Sequence, residues 1–444
     1  MNLSIFSLIY ILNSVYYFLK LDIYKIITLL LISTLLTSLS FKINFFNFQI
    51  EYVLYFFLFL SFVIRALFIN KKIYIKFDYI ILFTLYLILS YPIIKLLYSD
   101  LMVWPSGKAS LSTSIDANLT HLIKLSKSNT FFTQIFFVLA PLLFFYILKF
   151  LNVEKMQHSL RLYIKAIIFI CVLNLLIYLA LIIFKDISKI DSIVNLLNFG
   201  VYRYTSFQSS FVRVSFFLGE PSFASILIIP IIIYYIVNIL SYRMKLNLKI
   251  TLILFILCLN IFLMASSSAL ISLTLCLLMI IIVNFRSKII IKLLCIFIFF
   301  LILLLISDNI IIENFISKFN MKNKFSSIFV RIWSVEHSLG LLLKSPLLGS
   351  SIGTSAATSG LVVFITSVGL IGLYLFARMS NLLNIIKCLY EKNYNKELYV
   401  LSNFIISILI CNILAGDITT LLTPIYFLLV IMFNYKFQNH DLSR

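Results

Sequence analysis

The feature of this sequence that most constrains its fold is the recurrence of long apolar segments along the whole chain. A helix that crosses the hydrocarbon core of a bilayer, roughly 30 Å thick, needs about 20 apolar residues. Segments of this kind recur between charged breaks over all 444 residues. The pattern predicts an all-α, polytopic integral membrane protein, with residues 1–444 forming a single transmembrane domain.

The composition excludes a water-soluble fold. Hydrophobic residues make up 62% of the chain and charged residues only 12%, whereas a globular domain needs about 25% charged residues to cover its surface. The formal charge of +20 could indicate nucleic acid binding. However, the basic residues lie in short clusters between apolar segments, as topology signals do. Nucleic acid is therefore not a predicted partner.

The apolar segments predict 12–13 transmembrane helices, because the first two segments are short for a full crossing. The predicted spans lie near 3–19, 26–41, 52–69, 79–97, 131–149, 164–184, 221–240, 250–265, 269–285, 289–307, 358–377, 398–415 and 418–435.

The distribution of Lys and Arg predicts the orientation of these helices. Basic residues concentrate in one alternate set of short loops, and such loops stay in the cytoplasm. The other set contains three long segments in which basic residues are diluted by polar ones, so these should face outward. The outward segments are 98–130, 185–220 and 308–357, and they should frame any active site.

Glu220 stands at the outer mouth of a predicted span, within a polar and small-residue stretch. Pro221 follows it and is suited to the first position of a helix. Glu220 would then be a helix cap, stabilised by the positive end of the helix dipole. Glutamate is a poor cap compared with Ser, Thr, Asp or Asn, and ionisable groups at membrane depth are functional by default. Both interpretations stay open on the sequence.

Three arginines in the outward segments suggest an anionic ligand. Arg203 and Arg213 lie in one segment and Arg331 in the next. A guanidinium grips phosphate oxygens with two parallel hydrogen bonds and stays charged in a partly dry site. The alternative is that each arginine contacts lipid headgroups. Lys344 opens a segment rich in Ser and Gly, which predicts either close approach of backbone to a ligand or a re-entrant turn.

The sequence argues against metal and nucleotide chemistry. Its four histidines are scattered, without the spacing of a zinc site. No P-loop pattern is found. We therefore predict no metal and no cofactor. His337 alone lies near the candidate residues, where a histidine could serve as a base.

Several short motifs resemble those of one family, the bacterial O-antigen and capsule repeat-unit polymerases of the Wzy type, which are related in fold to the O-antigen ligases. The resemblance covers roughly residues 200–380. Its motifs are Gly-Glu-Pro-Ser-Phe-Ala at 219–224, the serines at 266–268, Arg-Ile-Trp at 331–333, Ser-Pro-Leu-Leu-Gly at 345–349 and Val-Gly-Leu-Ile-Gly at 368–372.

Two departures refine the resemblance. Ala269 stands where many relatives carry an arginine after the serine run, which weakens a catalytic role for that hairpin. Ligases usually show a histidine after the Pro-Leu-x-Gly motif, and none occurs between Gly349 and Phe376. The resemblance therefore favours a polymerase over a ligase.

The resemblance implies a GT-C-like glycosyltransferase that needs no nucleotide sugar. Such an enzyme moves a growing glycan from undecaprenyl pyrophosphate to the next lipid-linked unit, on the outer face of the bacterial inner membrane. Its partners would be the undecaprenyl-pyrophosphate-linked oligosaccharide, membrane lipids and a chain-length regulator. A flippase or another transporter of the same lipid-linked units, an O-antigen ligase and a lipid-binding scaffold are alternatives.

The same resemblance assigns roles to the candidate residues. Arg213 and Arg331 would act in catalysis, and Glu220 would orient or deprotonate the acceptor hydroxyl. Arg203, Arg213, Arg331 and Lys344 would bind the pyrophosphate, whose negative charge grows as the sugar–phosphate bond breaks.

Overall fold

The computed structural model of this protein is predominantly helical. Over the described residues it has fourteen helices and six short strands. The described residues are 5–35, 40–43, 46–68, 78–103, 123–125, 130–184, 207–208, 211–212, 221–241, 243–264, 266–284, 327–352, 359–390, 395–414 and 423–441.

The helices are numbered here in chain order. They are α1 Ile5–Leu19, α2 Ile23–Ser33, α3 Ile50–Phe68, α4 Tyr79–Leu97, α5 Thr130–Leu148, α6 Val153–Phe184, α7 Pro221–Leu240, α8 Leu248–Leu263, α9 Ser267–Asn284, α10 Ser327–Lys344, α11 Gly360–Met379, α12 Leu382–Tyr390, α13 Lys396–Leu414 and α14 Pro424–Asp441.

The strands form three separate two-stranded antiparallel pairs. Each pair is formed by two strands that follow one another along the chain. The pairs are β1 Ser40–Ile43 with β2 Phe46–Gln49, β3 Met102–Val103 with β4 Ile123–Lys124, and β5 Phe207–Gln208 with β6 Phe211–Val212.

Among the described residues, four helices are long and apolar enough to cross a membrane, and this agrees with the prediction of an all-α membrane protein. Six further apolar helical stretches of 10–17 residues are shorter than a full crossing. The count of 12–13 spans stays a prediction, and the predicted span at 289–307 lies outside the described residues. The four long stretches are Ile50–Phe68, Tyr79–Leu97, Val153–Ala180 and Gly360–Met379.

The predicted span at 26–41 is wrong in its extent, because α2 ends at Ser33 and Ser40 already belongs to a strand. The hydroxyls of Ser33 and Thr34 donate to backbone carbonyls of the preceding turn, at 2.8 and 2.7 Å. Side-chain bonds of this kind offer the backbone an alternative to the helical ladder. The apolar run of the sequence therefore extends beyond the end of α2 at Ser33.

The predicted span at 164–184 is longer in the structure, where α6 begins at Val153. Its first turns mix charged and apolar residues, so a search for purely apolar segments misses them. One face of this extension is buried and packs against α2. Across that contact, the Thr28 hydroxyl donates to Ser159 Oγ at 2.9 Å.

Polar side chains cap the starts of several helices, three of which bear on the predicted bounds. The Asp78 carboxylate accepts from the N–H of Ile80 at 2.8 Å and opens α4. Asn247 caps α8 in the same way, and Ser359 caps α11. Short polar side chains satisfy N–H groups that lack a partner in the helix. These caps explain why the predicted starts near 79, 250 and 358 lie within two residues of the observed ones.

The core of the molecule centres on α14, which packs against α2, α5, α6 and α13. Every residue from Ile425 to Phe433 is buried. A helix that is apolar on all sides is an internal helix. Phe427 stacks on Phe145 of α5 with ring centroids 4.5 Å apart.

The ends of several helices meet in a group of ion pairs at one end of the bundle. Lys149 pairs with Asp78. Glu397 forms ion pairs with Arg243, at 3.8 Å, and with Lys436 of α14, at 2.6 Å. The first pair connects the end of α5 with the start of α4, and the other two connect the chain after α7 and helix α14 with the start of α13. We call this the basic end, and its Lys149 and Arg243 belong to the loops predicted to be cytoplasmic.

Candidate functional site

Three of the five candidate residues, Arg203, Arg213 and Glu220, lie outside the described residues. The structure describes the chain beside them. The pair β5–β6 lies between the two arginines, with Phe207 opposite Val212. Helix α7 begins at Pro221, directly after Glu220. The predicted helix at 221–240 is therefore confirmed at both ends.

Helix α7 forms a mutually packed trio with α9 and α13. Arg243, just after α7, pairs with Glu397 at the start of α13, so these two helices are antiparallel. The rings of Tyr234 and Phe404 meet at 5.5 Å. Ser225 precedes Tyr234 by nine residues in α7, and Asn412 follows Phe404 by eight residues in the antiparallel α13. The two residues therefore lie at similar heights along the pair of helices, and both are buried.

A buried polar layer therefore lies at the end of the trio that Glu220 adjoins in sequence. The hairpin before α9 adds to this end, with Ser266 Oγ and Ser268 Oγ 3.0 Å apart. Hydroxyl and amide groups in such a layer pack helices closely through hydrogen bonds. Asn412 is a buried polar residue of this layer that the sequence interpretation missed.

Arg331 and Lys344, the other two candidates, belong to the same helix, α10, within the segment 308–357. They are thirteen residues apart, so their backbones are separated by about 20 Å at 1.5 Å per residue. Lys344 is the last residue of the helix and is exposed. The structure therefore places the two cations at opposite ends of one element and does not bring them together.

One face of α10 is a narrow buried stripe of small residues and one leucine. Its spacing of three and four residues is that of a helix face, and α10 packs against α11. Arg331 precedes Ser334, the first residue of this stripe, by three residues, so it occupies the same helix face one turn earlier. The stripe consists of Ser334, Ser338, Leu341 and Ser345.

His337 lies in the middle of α10 and is half-buried. Burial is the main cause that lowers the pKa of its imidazole, and the nearby Lys344 ammonium adds to the effect. Because the pKa lies below its ordinary value of about 6.5, the imidazole is neutral at pH 7. A neutral imidazole can accept a proton.

After α10 the chain turns back and docks against the middle of α11. Helix α11 is broken at Gly369, whose φ of 62° and ψ of −170° are not helical. We call the docked residues 345–351, together with 366–372 of α11, the joint. Its two halves contain the motifs at 345–349 and 368–372.

Four backbone hydrogen bonds hold the joint together. In one direction, the N–H groups of Ser350 and Ser351 donate to the carbonyls of Thr366 and Ser367 at 2.8 and 3.0 Å. In the other direction, the N–H groups of Leu370 and Ile371 donate to the carbonyls of Pro346 and Leu347, at 3.0 and 3.2 Å. Irregular backbone at membrane depth is tolerated where the protein itself satisfies it.

Two glycines allow the backbones of the joint to touch. A Cβ on Gly349 would lie 2.5 Å from the Thr366 carbonyl oxygen, and one on Gly369 would lie 2.4 Å from the Gly349 nitrogen. Both glycines also have positive φ, which other residues rarely adopt. The sequence predicted either close approach of this backbone to a ligand or a re-entrant turn, and in the structure the backbone that it approaches is that of α11.

Tyr86 of α4 ties the two halves of the joint to a third helix. Its hydroxyl donates to the carbonyl of Val368 and also lies 3.1 Å from that of Leu348. A Cβ on Gly372 would lie only 2.7 Å from the Cε1 atom of the Tyr86 ring. The sequence gives no signal for this role, because a tyrosine within an apolar segment resembles any other core aromatic residue.

The described residues contain no group of three His, Cys, Asp or Glu side chains placed to hold a metal ion. The predicted absence of a metal concerns the whole chain and stays a prediction.

No protein-family model and no curated protein matches this sequence.

Proposed function

We propose that this protein is a polymerase of lipid-linked oligosaccharide repeat units. It transfers a growing glycan from undecaprenyl pyrophosphate to the next lipid-linked unit, on the outer face of a bacterial inner membrane. The reaction uses no nucleotide sugar, because the donor already carries an activated sugar–phosphate bond. The protein thus acts as a GT-C-like membrane glycosyltransferase.

The observation that carries this proposal is the contact between two of the motifs on which the family resemblance rests. The motifs at 345–349 and 368–372 are nearly twenty residues apart in sequence, yet they form the two halves of the joint. Their glycines are required by that contact. A chance match of short motifs would not be expected to place both segments in one backbone interaction.

The motif at 331–333 is connected to α11 through the joint. That motif lies near the start of α10, whose other end is held by the joint. The motif at 219–224 spans the start of α7. Each of these motifs therefore coincides with a helix start or a contact between elements, as expected for segments that build one site.

The proposed chemistry is a displacement at the anomeric carbon of the growing glycan. The oxygen of an acceptor hydroxyl forms the new glycosidic bond, and the bond from that carbon to the phosphate oxygen breaks. The electron pair leaves with the pyrophosphate, while the hydroxyl proton passes to Glu220. Arg203, Arg213 and Arg331 stabilise the charge that develops on the leaving pyrophosphate.

Lys344 has a smaller part in this proposal. It lies about 20 Å along the helix from Arg331, so the two side chains serve different parts of a long lipid-linked substrate. We assign Arg331 to the pyrophosphate at the reacting bond and Lys344 to a more distant phosphate or headgroup contact.

The test is the surface-glycan ladder of cells that lack this protein, complemented with wild type or with single variants. Arg213→Ala and Arg331→Ala should remove chain extension at normal protein levels, because preorganised cations supply several kcal/mol of transition-state stabilisation, on the order of 3 kcal/mol each. Glu220→Gln should impair extension and leave membrane insertion intact. The matched control is Arg161→Ala, which changes an exposed arginine of α6 and should restore the full ladder.

The outcomes separate the candidate functions. Deletion that leaves single repeat units at the surface supports polymerisation. Absence of any repeat unit at the surface would instead indicate a flippase, a transporter or a ligase. Full ladders in both arginine variants would contradict the site assignment.

A further inference from the structure

Helix α10 is held at its C-terminal end by the joint. Beyond the bonds of the joint, Leu341 packs in a small apolar cluster with Ile94 of α4, Leu101, Val103 and Leu125. The contacts described for α10 thus gather toward its last turns and along its stripe against α11.

A change in the tilt of α10 at the joint would have its largest effect at the far end of the helix, where Arg331 lies. The distance along the helix from Ser345 to Arg331 is about 20 Å at 1.5 Å per residue. A tilt of about 5° at the joint would therefore move the backbone of Arg331 by nearly 2 Å, roughly the tangent of that angle times the length. Misplacement of a catalytic group by about 1 Å can cost on the order of 100-fold in rate.

Tyr86 is placed to control that tilt. Its hydroxyl lies between the carbonyls of Leu348 and Val368, one from each half of the joint. A hydroxyl carries one hydrogen and donates to one carbonyl at a time, or shares it between both. Either way, separation of the two halves breaks a bond that α4 supplies.

We propose that Tyr86 is a positioning residue that sets the tilt of α10 and thereby the position of Arg331. This inference rests on the proposed polymerase function, in which Arg331 stabilises the leaving pyrophosphate. Tyr86 touches neither substrate nor reacting atoms and acts on the reaction only through α10.

The first measurement tests the joint without reference to activity. Full-length protein is compared by hydrogen–deuterium exchange as wild type, Tyr86→Phe and Tyr79→Phe. The control variant loses the same hydroxyl from the same helix, where it accepts from Arg378 at 3.2 Å. We expect exchange of the joint amides, such as Ser350 and Leu370, to be about tenfold faster in Tyr86→Phe only. Unchanged exchange would overturn the proposal.

The second measurement tests whether Tyr86 acts through Arg331. Chain extension is measured per folded protein for Tyr86→Phe, for Arg331→Lys and for the double variant. We expect Tyr86→Phe alone to lower extension about tenfold or more, and to add little in the Arg331→Lys background, because residues that act through one group are not additive. A general structural defect would lower extension equally in both backgrounds and would overturn the proposal.

The two measurements separate failure of this inference from failure of the proposed function. Full extension by Arg331→Ala would show that the polymerase assignment of that residue is wrong, whatever the exchange data show. Loss of extension in Arg331→Ala together with a full ladder in Tyr86→Phe would overturn only the positioning role.

Discussion

At the scale of single residues, His337 shows how burial changes the chemistry of a side chain. It lies on α10 between Arg331 and Lys344, and α10 is not one of the four helices long and apolar enough to cross a membrane. Burial and the neighbouring ammonium lower the pKa of the imidazole. The folded state therefore disfavours the imidazolium that forms as the pH falls.

The stability of the protein should consequently depend on pH through this residue. A histidine whose pKa is lower in the folded state does not reduce the free energy of unfolding above its unfolded pKa, about 6.5. As the pH falls from that value through the lower pKa of the folded state, protonation favours the unfolded state and stability is lost. Thermal unfolding in detergent at pH 7.5 and pH 5.5 measures the effect. His337→Gln should show a smaller loss of melting temperature than wild type. An equal loss in both proteins would contradict this assignment.

At the scale of elements, α11 behaves as two half-helices joined at Gly369. The break exposes carbonyl and N–H groups that a continuous helix would satisfy internally, and the chain at 346–351 supplies their partners. A hydropathy profile shows only one apolar span here. The break depends on the chain that docks on it, because unsatisfied backbone groups in a membrane are costly.

Replacement of Gly369 by Ala should therefore damage the joint. Its Cβ would lie 2.4 Å from the Gly349 nitrogen and 2.5 Å from the Leu347 oxygen, and the backbone angles there are almost exclusive to glycine. We expect destabilisation of about 2–4 kcal/mol, measured by the denaturation midpoint. The matched control is Gly340→Ala in α10, where a Cβ meets nothing within 4 Å. That control should be neutral or stabilising by up to about 1 kcal/mol.

At the scale of the whole molecule, the ion pairs of Asp78, Arg243 and Glu397 bring distant loops to the basic end. The loops that meet there are those that the distribution of Lys and Arg assigned to one side. Partly exposed ion pairs contribute little stability each. The side of the membrane on which the basic end lies stays a prediction from the distribution of Lys and Arg.

The predicted orientation can be measured with single cysteines in a variant that lacks the six native ones. Lys155→Cys lies near the basic end, and Met102→Cys lies in the outward segment 98–130; both positions are exposed. A membrane-impermeant maleimide should label Met102→Cys in intact spheroplasts and Lys155→Cys only after lysis, because basic loops resist translocation. The reverse pattern would invert the proposed side of the active site.

The sequence by itself determined the class of the protein and the bounds of many helices. Apolar length requires a membrane, and backbone polar groups in a membrane require helices. Where a cap or proline stood at a segment's edge, as at Asp78 and Pro221, the predicted bounds agree closely with the structure. Where a helix was amphipathic or ended by side-chain bonds, as at Val153 and Ser33, hydropathy alone gave the wrong extent.

The tertiary structure decided which candidate residues belong together. Sequence grouped Arg331 with Lys344 as cations of one ligand, but a helix holds them about 20 Å apart. The sequence left the segment around Gly349 open between a ligand contact and a re-entrant turn, and the packing shows that Gly349 lies against Gly369. The role of Tyr86 follows only from contacts across 262 and 282 residues of sequence. Such contacts depend on how helices pack, and local patterns of apolar and charged residues do not encode them.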